Sequence, residues 1–133
     1  LKQNPTMLVI ANRTVSKAKE LAKVFAPFGK VEAMGYDELV GKRFDIVING
    51  TSASLKGEMP PLPVNVFAGN AVAYDMMYGD MPTPFLEWAM LHGAETAADG
   101  LGMLVEQAAE SYLLWRGVRP DTKHVIAALR KGG

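Results

Sequence analysis

Asn12-Arg13-Thr14, with Lys17 three residues on, places hydrogen-bonding and cationic side chains where the apolar run Met7 to Ala11 stops. In a doubly wound sheet the ribose of an adenine dinucleotide lies at the tip of the second strand. An acidic residue about 20 residues after a glycine fingerprint there accepts from the 2′-hydroxyl. Arginine cannot accept that bond, but its fork donates to a 2′-phosphate, each charge-assisted bond being worth about 1.5 to 3 kcal/mol. The stretch therefore points to NADP over NAD. Thr14 reads as the N-cap of the following helix, and Lys17 falls in its first turn, where a cation opposes the helix dipole unless an anion joins it. An ordinary surface Arg and Lys beside an ordinary cap would give the same letters, and both readings stand open on this stretch alone.

Two more strand ends carry polar or special residues. The run Phe44 to Asn49 leads into Asn49-Gly50-Thr51-Ser52, and the run Val72 to Met76 into Met76-Met77-Tyr78. Ligands of open parallel sheets bind outside the carboxyl ends of the strands, so all three sets fall on one edge. A Ser/Thr-rich turn from Gly50 to Ser54 that only caps its own backbone remains the alternative for the second set. Gly100, Met103 and Gln107 add a fourth set, spaced to share one helix face, with the glycine allowing a ligand close to the backbone. Leu101, Leu104, Val105, Ala108 and Tyr112 read as packing. His92 reads as a helix C-terminal side chain, His124 as surface and Asp99 as a cap, while Glu58 and Asp75 form no carboxylate pair. No residue here is assigned as catalytic, and no metal-ligand spacing occurs.

The elements that must position these sets alternate strand and helix. Met7–Ala11 is a strand, and Ala18, Leu21, Ala22 and Phe25 form the apolar stripe of a helix closed by Gly29. Lys30–Met34 is a second strand, Asp37–Val40 one helical turn ended by Gly41, and Phe44–Asn49 a fully apolar third strand. Val72–Met76 is a fourth strand, and Thr83-Pro84 begins a helix running to Leu91. Glu95–Ala98 is a weak strand, followed by a helix from Gly100 to Arg116 and another from Asp121 to Lys131. This is the pattern of an α/β, Rossmann-like, doubly wound parallel sheet followed by C-terminal helices. It lacks its opening strand and the G-x-G-x-x-G turn, which we expect upstream of Leu1.

The 133 residues balance 14 basic against 14 acidic side chains, which gives no case for nucleic acid or a polybasic membrane contact. The absence of cysteine removes disulfides and thiol chemistry, and is compatible with the cytoplasmic location we expect. No apolar run reaches the roughly 18 residues of a membrane helix.

Taken together, Asn12-Arg13-Thr14, Asn49-Gly50-Thr51-Ser52, Tyr74-Asp75-Met76 with Tyr78, Thr83-Pro84-Phe85-Leu86, and Asp99-Gly100-Leu101-Gly102-Met103-Leu104-Val105 with Gln107 resemble the C-terminal half of bacterial shikimate dehydrogenases. The resemblance covers Met7 to the end of the chain. It implies reversible hydride transfer between NADPH and 3-dehydroshikimate, giving shikimate. It also implies that Asn12, Arg13, Thr14 and Lys17 hold the 2′-phosphate and that Asn49, Thr51 and Ser52 approach the cofactor. Met76, Gly100 and Met103 would line the nicotinamide end, and Tyr78 and Gln107 would contact the substrate. Lysine at position 17, where relatives can carry arginine, offers a point charge in place of a fork. The family's catalytic Lys and Asp belong to an N-terminal substrate domain that nothing in this chain matches. Residues 1–98 would then be a partial NADP-binding domain, and residues 99–133 helices that pack on the substrate domain. Alone, the chain is expected to be inactive, to bind NADP weakly and to self-associate through the face those helices leave open. The alternatives are a stand-alone nucleotide-binding or interaction module without catalysis, and a quinate/shikimate or glutamyl-tRNA reductase relative.

Overall fold

The computed structural model describes residues 1–53 and 56–131, which form two compact units: Leu1–Arg43 with Pro61–Val66, and Phe44–Pro60 with the chain from Phe67 onward. In the first unit, β1 (Leu8–Ala11) leads through α1 (Val15–Phe25) and a short 3-10 turn to β2 (Val31–Met34). The strands are parallel, with Leu8 opposite Val31 and Ala11 opposite Met34. The connecting helix is what two parallel neighbours require. Ala18 is the buried contact of α1.

The stripe read from the sequence is only partly buried. Leu21 and Phe25 are exposed, and with Leu1, Leu8, Ile10 and Phe28 they line an open apolar groove of about 640 Å³. A two-stranded layer with one helix has too little partner surface to close over them.

In the second unit, β3 (Phe44–Asn49), β4 (Phe67–Asp75) and β5 (Ala94–Ala98) form a parallel sheet in the order β3-β4-β5. Three helices accompany it: α2 (Pro84–Leu91), α3 (Leu101–Arg116) and α4 (Lys123–Lys131). The parallel α/β arrangement is as expected, but the strands form two sheets, not one continuous sheet.

Two expectations need correcting, and a third holds. Ile46 and Ile48 of β3 are exposed: they share a face with Val72 and Tyr74 of β4, opposite to the face of the buried Ala73 and Asp75, where the α2 cap Thr83 bonds Asp75. The weak strand expected at Glu95–Ala98 is present as β5, longer by Ala94 at its start. The fourth strand starts five residues before its apolar run and ends at Asp75, since β4 crosses Gly69-Asn70 through an irregularity in which Asn70 takes a φ of +61°. A Gly-Asn pair ordinarily signals a turn, and here it marks a bulge.

The core of this unit gathers Phe67, Ala71, Ala73, Phe85, Leu86, Ala89 and Ala94. Trp88 stacks on Phe85 and on the ring of His92, whose Nδ1 lies 2.7 Å from the Trp88 carbonyl, so His92 closes the helix end as expected. On α3 only Leu101, Val105 and Ala109 are buried, a narrower stripe than expected. Leu104, Ala108 and Tyr112 face solvent. Gly117, in the left-handed conformation at φ +72°, ends that helix by donating to the Leu113 carbonyl at 2.8 Å.

Candidate cofactor and substrate site

Four strands end in the same local device. Beyond β1, Asn12 Oδ1 accepts from the Thr14 amide at 2.8 Å, and at the end of β3, Asn49 Oδ1 accepts from the Thr51 amide at 3.1 Å. Asp75 closes β4 on the Met77 amide at 3.0 Å, and Asp99 follows β5 and accepts from the Leu101 amide at 3.3 Å. A short side-chain oxygen reaching the amide two residues on turns the chain sharply at each carboxyl end. The helix α3 starts one residue later than read, with Gly100 at the N-cap position, so Asp99 stands just before the cap, bonding the Leu101 amide and pairing with Arg130 of α4 at 2.7 Å.

In the first unit this device sets Arg13 and Thr14 in solvent directly ahead of α1. Thr14 takes the N-cap position with an extended backbone, but its hydroxyl makes no capping bond. No acidic residue lies in the first turn of α1, and neither Arg13 nor Lys17 forms a salt bridge among the described residues. Exposed cations at a helix start fit a phosphate group. Sequence reasoning missed Tyr36. The Asn12 amide donates to the Met34 carbonyl, so the chain beyond β2 runs beside Asn12-Arg13. Burial raises the Tyr36 hydroxyl above its ordinary pKa, and the nearby Arg13 charge opposes that rise.

The second unit brings together Asn49, Gly50, Thr51, Met76 and Gly100. The Met76 amide donates to the Asn49 carbonyl at 3.0 Å, and its sulfur lies over Gly50, 3.1 Å from where a β-carbon would stand. The Gly100 amide donates to the Met77 carbonyl at 3.0 Å. The close approach that Gly100 permits is therefore first of all to the protein's own Met76 carbonyl. Asn49 is buried, and its amide is spent on Asp75 and Thr51, so its side chain shapes the loop from within. Ser52, Met76, Tyr78, Met103 and Gln107 are exposed, and Ser54 lies outside the described residues. Asp75 and Thr83, both buried, were not foreseen as parts of the site. Their signal was a carboxylate at a strand end eight residues before a helix cap.

Residues 100–130 match the family model described as the shikimate 5′-dehydrogenase C-terminal domain. The chain is 61% identical over 130 residues to the shikimate dehydrogenase (NADP(+)) of Alkalilimnicola ehrlichii, covering 98% of this chain and 48% of that protein. In fold it is similar to an Ael1 enzyme from Pseudomonas putida, with a TM-score of 0.89 and 49% identity, over 96% of this chain and 47% of the other. It is also similar to shikimate 5-dehydrogenase from Thermus thermophilus in complex with NADP(H) and shikimate, with a TM-score of 0.73 and 27% identity over 94% and 46%. The chain spans about half the length of the relatives it matches. In sequence and in fold it is similar to the part of NADP-dependent shikimate dehydrogenases that includes their C-terminal domain.

Proposed function

We propose that this chain is the NADP-binding and C-terminal part of a cytoplasmic shikimate dehydrogenase, which interconverts 3-dehydroshikimate and shikimate. The observation that carries the reading is the Asn12-Arg13-Thr14 turn with Lys17, in which two exposed cations face the start of α1 without an acidic partner. Arg13, Thr14 and Lys17 would hold the 2′-phosphate, with Asn12 shaping the turn. Thr51 and Ser52 would approach the cofactor from a loop held by Asn49. Met76, Gly100 and Met103 would shape the nicotinamide end, with Tyr78 and Gln107 reaching the substrate.

When bound, NADP supplies the acceptor for a hydride from the alcohol carbon. The residues named here are proposed to bind and orient, and none is proposed as a general acid or base. Residues 1–98 would form the cofactor part, and 99–133 the helices that cover a substrate domain. The natural gene product should therefore reduce NADP when shikimate is added, and the 133-residue chain alone should not. Equal rates per mole of the two would overturn the division of labour, and no turnover by the gene product would overturn the activity.

A further inference from the structure

Asp75 lies at the end of β4 with no exposed surface, and nothing in the proposed binding roles uses it. Among the described residues, three different segments donate to it. Asn49 Nδ2 reaches Oδ2 at 3.2 Å, Thr83 Oγ1 reaches Oδ2 at 2.6 Å, and the Met77 amide reaches Oδ1 at 3.0 Å. Thr83 Oγ1 in turn accepts from the Leu86 amide as the cap of α2.

An ionised carboxylate only accepts, so the Asn49 carboxamide must turn its NH₂ toward Asp75. Its oxygen is then left for Thr51, accepting from the amide at 3.1 Å and from the hydroxyl at 2.8 Å. The Thr51 hydroxyl passes the constraint on by accepting from the Ala53 amide at 3.3 Å. On the other side, the bond to Met77 fixes the backbone between Met76 and Tyr78. One buried carboxylate thus sets the loop proposed to approach the cofactor and the strand end proposed to carry a nicotinamide and a substrate contact.

We propose that Asp75 is a positioning residue for cofactor and substrate binding: it selects the orientation of Asn49 and thereby the conformation of the Asn49–Thr51 turn and of Met76–Tyr78. The role rests on the shikimate dehydrogenase reading above.

Asp75→Asn in the natural gene product keeps the shape and replaces one acceptor oxygen with a donor. The new NH₂ faces either the Met77 amide or the Asn49 NH₂, and the second choice is relieved only if Asn49 flips away from Thr51. The KM values for NADP and shikimate should each rise about tenfold or more, the effect of losing a hydrogen bond to a charged group, while kcat per folded molecule changes less than about threefold. Thr83→Ser keeps the hydroxyl and should hold both KM values near the wild type, whereas Thr83→Val should raise them. If Asp75→Asn does not fold, the Thr83 pair carries the test.

A folded Asp75→Asn enzyme with unchanged KM values, or Thr83→Val and Thr83→Ser enzymes of equal KM, would overturn the positioning role while leaving the activity standing. Absence of NADP-dependent shikimate oxidation in the wild type would instead overturn the reading on which the role rests.

Discussion

Gly100 lies so close to the main chain of Met76 that a β-carbon on it would stand 2.0 Å from the Met76 carbonyl oxygen and 2.6 Å from the carbonyl carbon. Both obstructing atoms are backbone, so no rotamer change can relieve the contact. The start of α3 is thereby seated on the end of β4, and the Gly100 amide is bonded to the Met77 carbonyl. Gly100→Ala should destabilise the protein by about 3 kcal/mol or more, the upper range of overpacking. Gly102, two residues on, has nothing within 4 Å of its would-be β-carbon, and Gly102→Ala should be neutral or stabilising by up to about 1 kcal/mol. Urea unfolding of the two variants checks the contrast. Equal stabilities would contradict the seating of α3 on β4.

The link between α3 and α4 should weaken in acid. Glu106 accepts from Thr122 Oγ1 at 2.6 Å and from Arg119, which also reaches Glu110 at 2.7 Å. The Thr122 hydrogen bond, then the Arg119 bond, holds the Glu106 carboxyl below its ordinary value of 4.5. A depressed folded-state pKa stabilises above the unfolded value, and that stabilisation is lost as pH falls through the folded one. The denaturant midpoint should therefore drop as pH is lowered below about 4.5, and Glu106→Gln should flatten part of that drop. An identical pH profile in the variant would show that the network does not contribute.

Leu114 and Trp115 near the end of α3 are 85% and 79% exposed, Val118 just beyond them is also exposed, and Leu129 adds exposed apolar surface on α4. Large exposed apolar side chains grouped in this way promote association. The 133-residue chain alone should run as a dimer or larger species in light scattering, and Leu114→Glu with Trp115→Lys should shift it toward monomer. A monodisperse monomer without those changes would contradict the expectation.

The positions of the strands and helices were largely legible because apolar runs and cap residues are local signals. Thr83-Pro84 opens α2 as its letters say. The Gly69-Asn70 bulge was not legible, since a turn pair inside a strand is decided by the sheet around it. Burial of Leu21, Phe25, Ile46 and Ile48 was overestimated for a related reason: apolar periodicity marks the face meant for covering and does not supply the cover. In the site, Arg13 and Lys17 could be found by type and spacing. Asp75 could not, because its role comes from Asn49 and Thr83, which are 26 and 8 residues away in sequence and meet it only in the fold.

The central claim is that Asn12-Arg13-Thr14 with Lys17 reads the 2′-phosphate for shikimate oxidation, and the ratio of kcat/KM with NADP to that with NAD in the natural gene product tests it most directly. The wild type should favour NADP by about tenfold or more, as one or more charge-assisted bonds to the phosphate require. Arg13→Ala should remove most of that preference by weakening NADP while leaving NAD nearly unchanged. Equal use of the two cofactors by the wild type, or an Arg13→Ala enzyme that keeps its preference, would contradict the account.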